Sequence, residues 1–176
     1  AADQSALELA LRTAEVRGDE VVAITMGPTG AERALRDALA CGATRAVRIA
    51  TDNAASSVHV ATALAREVGA ADLVWCGDYS ADRGSGSVPA FLAAHLAIDQ
   101  ALGLIDVEIN GNGSQIRAVR RLDGGRREIL SISGRAVLSV EGSTARLRRA
   151  SLRSVIAADS ASIGVRSTSS VANEIG

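Results

Sequence analysis

The fold is decided by residues 21–28, VVAITMGP, a short apolar run that ends at a glycine and a proline. Such a run is typical of a strand buried on both faces of a parallel sheet, because a half-exposed strand alternates apolar and polar residues. Residues 7–14 before it and 31–41 after it carry apolar side chains at helical spacing. The sequence therefore predicts a helix, a strand and a helix in succession.

The same alternation continues along the chain. Short apolar strands are predicted at 46–49 and 73–76, with a helix at 56–68 between them. A further helix from Val88 to about Ala97 follows a polar loop rich in glycine and serine. This order predicts an α/β fold in three layers, a parallel sheet with helices on both faces.

From Leu104 onward the pattern is that of an antiparallel hairpin extension. Apolar and polar residues alternate over 104–109 and again over 115–122, on either side of the turn sequence NGNG at 110–113. Two more strands are predicted at 127–132 and 136–140. We expect the hairpin to extend the parallel sheet.

The two ends of the chain differ from its centre. We expect residues 1–158 to form the domain and residues 159–176, which show little periodicity, to form an arm that needs a partner to become ordered. The chain starts without Met and enters a helical pattern almost at once, which predicts an N-terminally truncated chain. No run reaches the roughly 18 to 20 apolar residues of a membrane span, and no signal-peptide pattern is present, so the expected compartment is the cytoplasm.

Composition excludes several classes of function. All 19 basic residues are Arg, and 20 acidic residues leave a net charge of −1, whereas a protein that binds polyanions carries a basic excess. Aromatic residues make up 2% of the chain, too few for a surface on which nucleic-acid bases stack. We therefore expect no nucleic-acid partner.

Titratable side chains form no catalytic pattern. His59 and His95 lie on separate predicted helices, and structural roles are favoured for both. Cys41 and Cys76 lie in apolar segments without ligand spacing, which indicates buried reduced thiols. We predict no catalytic residues and no metal site.

The loop after the third strand is the candidate binding site. Ligands of open parallel sheets lie beyond the carboxyl ends of the strands, and here the sequence GSGS at 84–87 runs directly into a helix. Small residues and the first N–H groups of a helix suit a phosphate, although a polar surface loop has the same composition. Asp82 either orients a ligand or holds the loop.

Several segments resemble the beta subunit of electron transfer flavoproteins. They are Gly27-Pro28, the stretch from Leu35 to Ala46 with Leu-Arg, Ala-Leu-Ala, Gly-Ala and Arg-Ala in order, Asp72-Leu73-Val74 with Gly77 and Asp82, the hairpin segment Val119-Arg120-Arg121-Leu122-Asp123-Gly124-Gly125, and Ala136-Val137-Leu138. Together they cover roughly residues 2–158 in one order without large gaps. That coverage is far more specific than any single motif.

The resemblance implies a fold like that of the adenine nucleotide alpha hydrolases and a subunit that is an electron carrier, not an enzyme. It implies a heterodimer with an alpha subunit, which shares FAD and passes electrons from flavin dehydrogenases to an acceptor. In this family the beta subunit holds AMP, or a second FAD in bifurcating members.

The resemblance also implies site residues. The nucleotide would contact the end of the first apolar strand and the loop before the next helix: Met26, Gly27, Asp82, Gly84, Ser85, Gly86, Ser87 and Val88. Ala150-Ser151-Leu152 resembles the family's docking loop, so Leu152 is the candidate anchor for a dehydrogenase. In that interpretation Leu152 is exposed while Val155 and Ile156 pack inward; alternatively all three residues are buried against the protein's own sheet.

Two other interpretations remain open at this stage. A free-standing adenine-nucleotide-binding module of the universal-stress type shares the general architecture. An interaction scaffold that has lost its nucleotide would account for the altered loop. The hairpin extension and the long polar arm favour the carrier, because an isolated module has no need of a partner-wrapping tail.

Overall fold

A computed structural model describes residues 2–51, 55–79 and 86–167. The elements in chain order are α1 (Ala2–Arg17), β1 (Val22–Gly27), α2 (Glu32–Cys41), β2 (Arg45–Ala50), α3 (Ser57–Val68), β3 (Leu73–Gly77), α4 (Val88–Leu96), β4 (Asp99–Ile109), β5 (Ile116–Arg121), β6 (Arg127–Ile132), β7 (Ala136–Val140), α5 (Leu152–Ser160) and β8 (Gly164–Ser167). Short 3-10 turns occupy Thr29–Ala31 and Asp123–Gly125. The predicted alternation of helices and strands is confirmed.

The strands form two open sheets. The first has the order β1-β2-β8 and is parallel throughout. The second has the order β3-β7-β4-β5-β6, in which β3, β7 and β4 are parallel and β5 and β6 continue the sheet in antiparallel fashion. The parallel sheet and its antiparallel hairpin extension are thus confirmed, but β1 and β3 are edge strands of separate sheets within the described residues.

Two segments differ from the sequence-based expectation. β4 begins at Asp99, because its first residues pair with β7 in parallel before the hairpin with β5 starts. The arm also contains regular structure: Gly164–Ser167 form β8 and pair with Val47 to Ala50 of β2. These four residues are thus paired with the domain, whereas residues 168–176 lie outside the described part, and the dependence of the arm on a partner stays a prediction.

Helices cover both faces of the second sheet. Ala6 and Leu9 of α1 pack on one face, in a cluster with Leu104, Leu138 and Val140. On the other face, Ala61 of α3 and Leu92 and Ala93 of α4 pack against Val137. Alanine at these contacts lets helices and strands approach closely, which is how a chain with few aromatic residues fills its core.

The helices around the first sheet bring the C-terminal segment into the domain. α2 packs against β1, β2 and α5, and α3 also contacts β1. Leu35 of α2 is 2% exposed. Among the described helices, none has the length and apolar character needed to cross a membrane.

Candidate functional site

The candidate site lies where parallel strands end. β1 ends at Gly27 beside Ala50 of β2, and β3 ends at Gly77 beside Val140 of β7. Because the strands within each pair are parallel, their carboxyl ends share an edge, which is where open α/β sheets bind ligands.

Gly27 has polar neighbours on β2. Its carbonyl accepts a hydrogen bond from Nη1 of Arg48 at 3.2 Å and a weaker one from the amide of Thr51 at 3.4 Å. Arg48 is 9% exposed, and its Nε donates to Oε1 of Glu32 at 2.9 Å. A held cation therefore lies beside the predicted site residue Gly27, whereas Met26 precedes it on β1 and pairs with Ile49.

The end of β3 and the loop after it pack closely against the protein's own atoms at two glycines. A Cβ on Gly77 would lie 2.6 Å from Oδ1 of Asp3, and a Cβ on Gly86 would lie 2.4 Å from the carbonyl oxygen of Asp78. Real Cβ atoms do not approach so closely, so a side chain at either position would force the surrounding backbone to shift. The predicted role of Gly86 in admitting a phosphate thus has a second explanation, the packing of the loop on itself.

The N-terminus of α4 is the part of the predicted phosphate site that the structure describes. Ser87 precedes the helix in a helical conformation, and its carbonyl accepts from the amide of Phe91 at 3.2 Å. Val88 begins the helix, and Pro89 removes one amide donor from its first turn. Asp82, Gly84 and Ser85 lie outside the described residues.

The edge beyond β3 is acidic. Oδ1 of Asp78 is buried without a hydrogen-bond partner among the described residues. Burial raises the pKa of this carboxyl above its ordinary value, and the nearby charges of Glu141 and Asp3 add to that shift. A negative phosphate is therefore disfavoured next to Asp78 and is better placed towards α4 or towards Arg48.

Cys76 has no reactive character. It is the residue before Gly77 on β3, and burial of its thiol, with a smaller effect of Asp3, raises the pKa to about 12. The thiol therefore stays protonated at neutral pH. A nucleophilic or metal-binding role does not fit this environment.

The histidine on α4 has a structural role. Nε2 of His95 lies 2.9 Å from the hydroxyl oxygen of Thr62 on α3. This hydrogen bond joins the two helices that flank the site. The structural interpretation of His95 is therefore supported.

A surface groove of about 630 Å³ lies between α4 and the edge strand β6. Its lining includes Ala90, Ala94 and Ala97 of α4 and Leu130 and Ile132 of β6. None of the predicted site residues lines it. The strand ends at Gly27 and Gly77 and this groove are therefore separate features of the surface.

The predicted docking segment is a helix with an exposed apolar face. Ser151 caps α5 by accepting a hydrogen bond from the amide of Ser154 at 3.1 Å. Leu152 is 77% exposed, Ile156 is 63% exposed and Val155 is 42% exposed. Burial of all three against the sheet is thus excluded, and the expectation that Val155 and Ile156 pack inward is also wrong, since Ala158 forms the buried contact of this helix.

Sequence reasoning missed the charged residues that surround the site. Arg48, Glu32 and Asp3 lie in segments that read as ordinary strand or helix, and only the tertiary arrangement brings them to the strand ends. An arginine inside the short strand at 46–49 is the one signal that indicates a buried partner, because Arg is almost never buried unpaired.

A parallel sheet between helices with glycine-terminated strands defines the class: an α/β protein arranged to bind a ligand at its strand ends. The model of the electron transfer flavoprotein domain matches residues 1–167, and the chain belongs to that family.

Curated relatives agree with the family assignment. The chain is 40% identical over 115 residues to the electron transfer flavoprotein subunit beta of Thermoanaerobacterium thermosaccharolyticum, covering 62% of this chain and 44% of that protein. It is 30% identical over 171 residues to Protein FixA of Bradyrhizobium diazoefficiens, covering 92% and 59%. It is 31% identical over 159 residues to the subunit beta of Methylophilus methylotrophus, covering 87% and 60%. The chain thus spans about half the length of these relatives.

Proposed function

We propose that this chain is part of the beta subunit of an electron transfer flavoprotein, a non-catalytic carrier that works as a heterodimer with an alpha subunit. The observation that carries the proposal is the family match over residues 1–167. Relatives named as beta subunits support it, and the similarity to the one of Methylophilus methylotrophus covers 87% of the chain. In this proposal the complex accepts electrons from flavin dehydrogenases through an FAD shared with the alpha subunit.

The beta subunit is proposed to hold AMP, or a second FAD in a bifurcating complex, at the strand ends. The N-terminus of α4 offers backbone donors, Gly27 has no side chain to block a ligand, and Arg48 supplies positive charge near Gly27. The acidic residues Asp3, Asp78 and Glu141 disfavour phosphate on the β7 side. We propose that the phosphate lies at Ser87 and Val88, at the start of α4, together with the loop that precedes them.

Within the described residues, β1 and β3 each pair with a strand on one side only, which supports a further pairing in the complete assembly. Most residues of both strands are only half-buried, although their alternation with helices is that of central parallel strands. Unpaired strand edges expose backbone groups and attract another strand. We propose that one parallel strand pairs with β1 or β3 in the whole protein. The test is amide hydrogen exchange, which should be slower in β1 or β3 of the whole protein than in the 176-residue chain.

α5 is the proposed docking surface for the dehydrogenase. Leu152 and Ile156 lie one helical turn apart, and both are largely exposed. An exposed apolar pair on a capped helix is suited to enter a pocket on a partner protein. The cap at Ser151 fixes the start of the helix and therefore the position of Leu152.

The proposal is tested by co-expressing the whole protein with the neighbouring alpha-type reading frame. The purified complex is examined by its absorption spectrum and by extraction of bound nucleotides. A flavin band together with AMP supports the carrier, and a second equivalent of FAD supports bifurcation. A colourless monomer that binds an adenine nucleotide would contradict the carrier and support a stand-alone module.

A further inference from the structure

We propose that Glu32 is a positioning residue that couples the nucleotide edge at Gly27 to the docking helix α5. The inference rests on the proposed function, because it concerns the same two surfaces, and it adds a physical connection between them. That connection is a chain of charged side chains that runs from the end of β1 through α2 to the end of α5.

The first half of the connection is well enclosed. Nη1 of Arg48 donates to the carbonyl of Gly27 at 3.2 Å, and its Nε donates to Oε1 of Glu32 at 2.9 Å. The side chain of Arg48 is 11% exposed and that of Glu32 is 22% exposed. Charged hydrogen bonds shielded from water in this way are stronger than those of surface pairs.

The second half joins Glu32 to α5. Nη2 of Arg36, one turn along α2, lies 4.0 Å from the other carboxylate oxygen of Glu32. Nη1 of Arg36 donates to the carbonyls of Ala158 and Asp159, each at 2.8 Å. These carbonyls belong to the last turn of α5, where the negative end of the helix dipole favours a cation.

Glu32 thus shares one carboxylate between two guanidinium groups that face two different surfaces. A nucleotide that contacts the edge at Gly27 disturbs the hydrogen bond from Arg48 to the Gly27 carbonyl. A shift of Arg48 then lets the Glu32 carboxylate move relative to Arg36. Arg36 in turn holds the last turn of α5 through its hydrogen bonds to the carbonyls there. The same helix begins at Leu152. Coupling between two sites is reciprocal, so docking at α5 must change nucleotide affinity by the same factor.

The connection is tested by amide hydrogen exchange in the complete complex with its alpha subunit. Arg48→Gln breaks the network at the Gly27 end, and no hydrogen bond joins Arg48 to α5 in the described part of the chain. We expect faster exchange in the last turn of α5 in this variant, and the same in Glu32→Gln. The double variant is expected to add little to Glu32→Gln alone. Exchange of α5 in Arg48→Gln equal to that of the wild type overturns the proposal.

The matched control is Glu108→Gln. Glu108 also pairs with an arginine, Arg117, but this pair lies on the β4–β5 hairpin and its carboxylate side chain is 65% exposed. Its substitution is expected to leave the exchange of α5 unchanged. A response of α5 equal to that of Glu32→Gln would show a general loss of charge, not a connection, and would also overturn the proposal.

Added AMP separates this inference from the proposed function. In the nucleotide-stripped wild-type complex, AMP is expected to alter exchange in α5 and to change the Kd for the dehydrogenase by about fivefold, the lower end of couplings between sites. In Glu32→Gln, AMP still binds and neither response occurs. AMP binding without a response of α5 in the wild type overturns the coupling, whereas failure to bind AMP at all overturns the proposed nucleotide site and leaves the Arg48→Gln experiment to decide the connection.

Discussion

The backbone amide and the Nε of Arg148 both donate to Oε2 of Glu8, each at 3.0 Å, although 140 residues separate the two. Glu8 lies on α1 and is 4% exposed. Its other oxygen accepts from Nε of Arg12 at 2.8 Å, and Arg148 also pairs with Glu15. The segment between β7 and α5 is thereby fastened to the first helix.

Glu8 makes the stability of the fold depend on pH. Burial alone raises the pKa of this carboxyl, but hydrogen bonds from Arg148 and Arg12 outweigh it and lower the pKa from 4.5 to about 2. The folded pKa is depressed, so the stabilisation is present above pH 4.5 and is lost as the pH falls towards 2. A shift of this size corresponds to about 3 kcal/mol, which urea unfolding at pH 7 and pH 3 measures in part.

Glu8→Gln is expected to destabilise the chain at pH 7 by about 3 kcal/mol, because Arg148 loses a buried partner. The difference from the wild type should shrink at pH 3, because Glu8 of the unfolded chain, with a pKa of 4.5, is protonated there while folded Glu8 is still mostly ionised. Glu20→Gln is the control, since Glu20 pairs with Arg45 but both side chains are about two-thirds exposed. A loss of stability in Glu8→Gln that does not shrink at low pH would contradict the assignment.

The sequence predicts elements whose pattern is local and misses those that neighbours impose. The strands at 73–77 and 136–140 follow from short apolar runs. Asp99 and Gln100 carry no such pattern, and they are in a strand because β7 offers them a free edge. β8 forms for the same reason against β2, with Val165 half-exposed and therefore without a burial signal.

The sequence predicts a candidate site at the strand ends, but it does not reveal the surroundings of that site. Strand ends and a glycine-rich loop are visible in the sequence, because backbone geometry requires small residues there. The spacing of Leu152, Val155 and Ile156 identifies a helical face, but it does not reveal what covers that face. The acidic surroundings of Asp78 arise from Asp3 and Glu141, which are far apart in the chain.

Gly86 is expected to be needed even without a nucleotide. Gly86→Ala places a Cβ against the carbonyl of Asp78 and should cost about 1 to 3 kcal/mol of stability in the nucleotide-free protein, the range of overpacked sites. Gly111→Ala is the control, because a Cβ there meets nothing within 4 Å. Equal stability of the two variants would show that the loop relaxes freely.

Gly86→Asp separates packing from phosphate binding. We expect it to abolish AMP or FAD binding in the complex, because it adds a negative charge where the phosphate is proposed to lie. The Gly86→Ala variant corrects for the packing defect, and the remaining difference should be at least about 1.5 kcal/mol, the value of a hydrogen bond to a charged group. Equal nucleotide content in both variants would contradict the proposal that this loop binds the phosphate.

The two cysteines are expected to react at different rates with an uncharged alkylating reagent at pH 8. Burial raises the pKa of the Cys41 thiol, and the charge of Asp37 adds to that shift. Cys41 keeps partial access to solvent. The Cys76 thiol, which burial holds at a pKa of about 12, should be modified far more slowly than the Cys41 thiol. Mass spectrometry of the modified peptides measures both rates, and rapid labelling of Cys76 in the folded protein would refute its enclosure.

Leu152→Ala is expected to impair docking without affecting the fold. Leu152 is 77% exposed, so its truncation should change the free energy of unfolding by less than about 0.5 kcal/mol. Leu35→Ala is the matched control, because Leu35 is 2% exposed and its truncation should cost about 2 to 5 kcal/mol.

In the complex with the alpha subunit, Leu152→Ala should weaken dehydrogenase binding by about 1 to 2 kcal/mol, roughly tenfold, as expected for an apolar anchor. Ile156→Ala, one turn along the same face, should show a smaller loss of the same kind. Normal electron transfer per folded molecule in both variants would remove the docking role from α5.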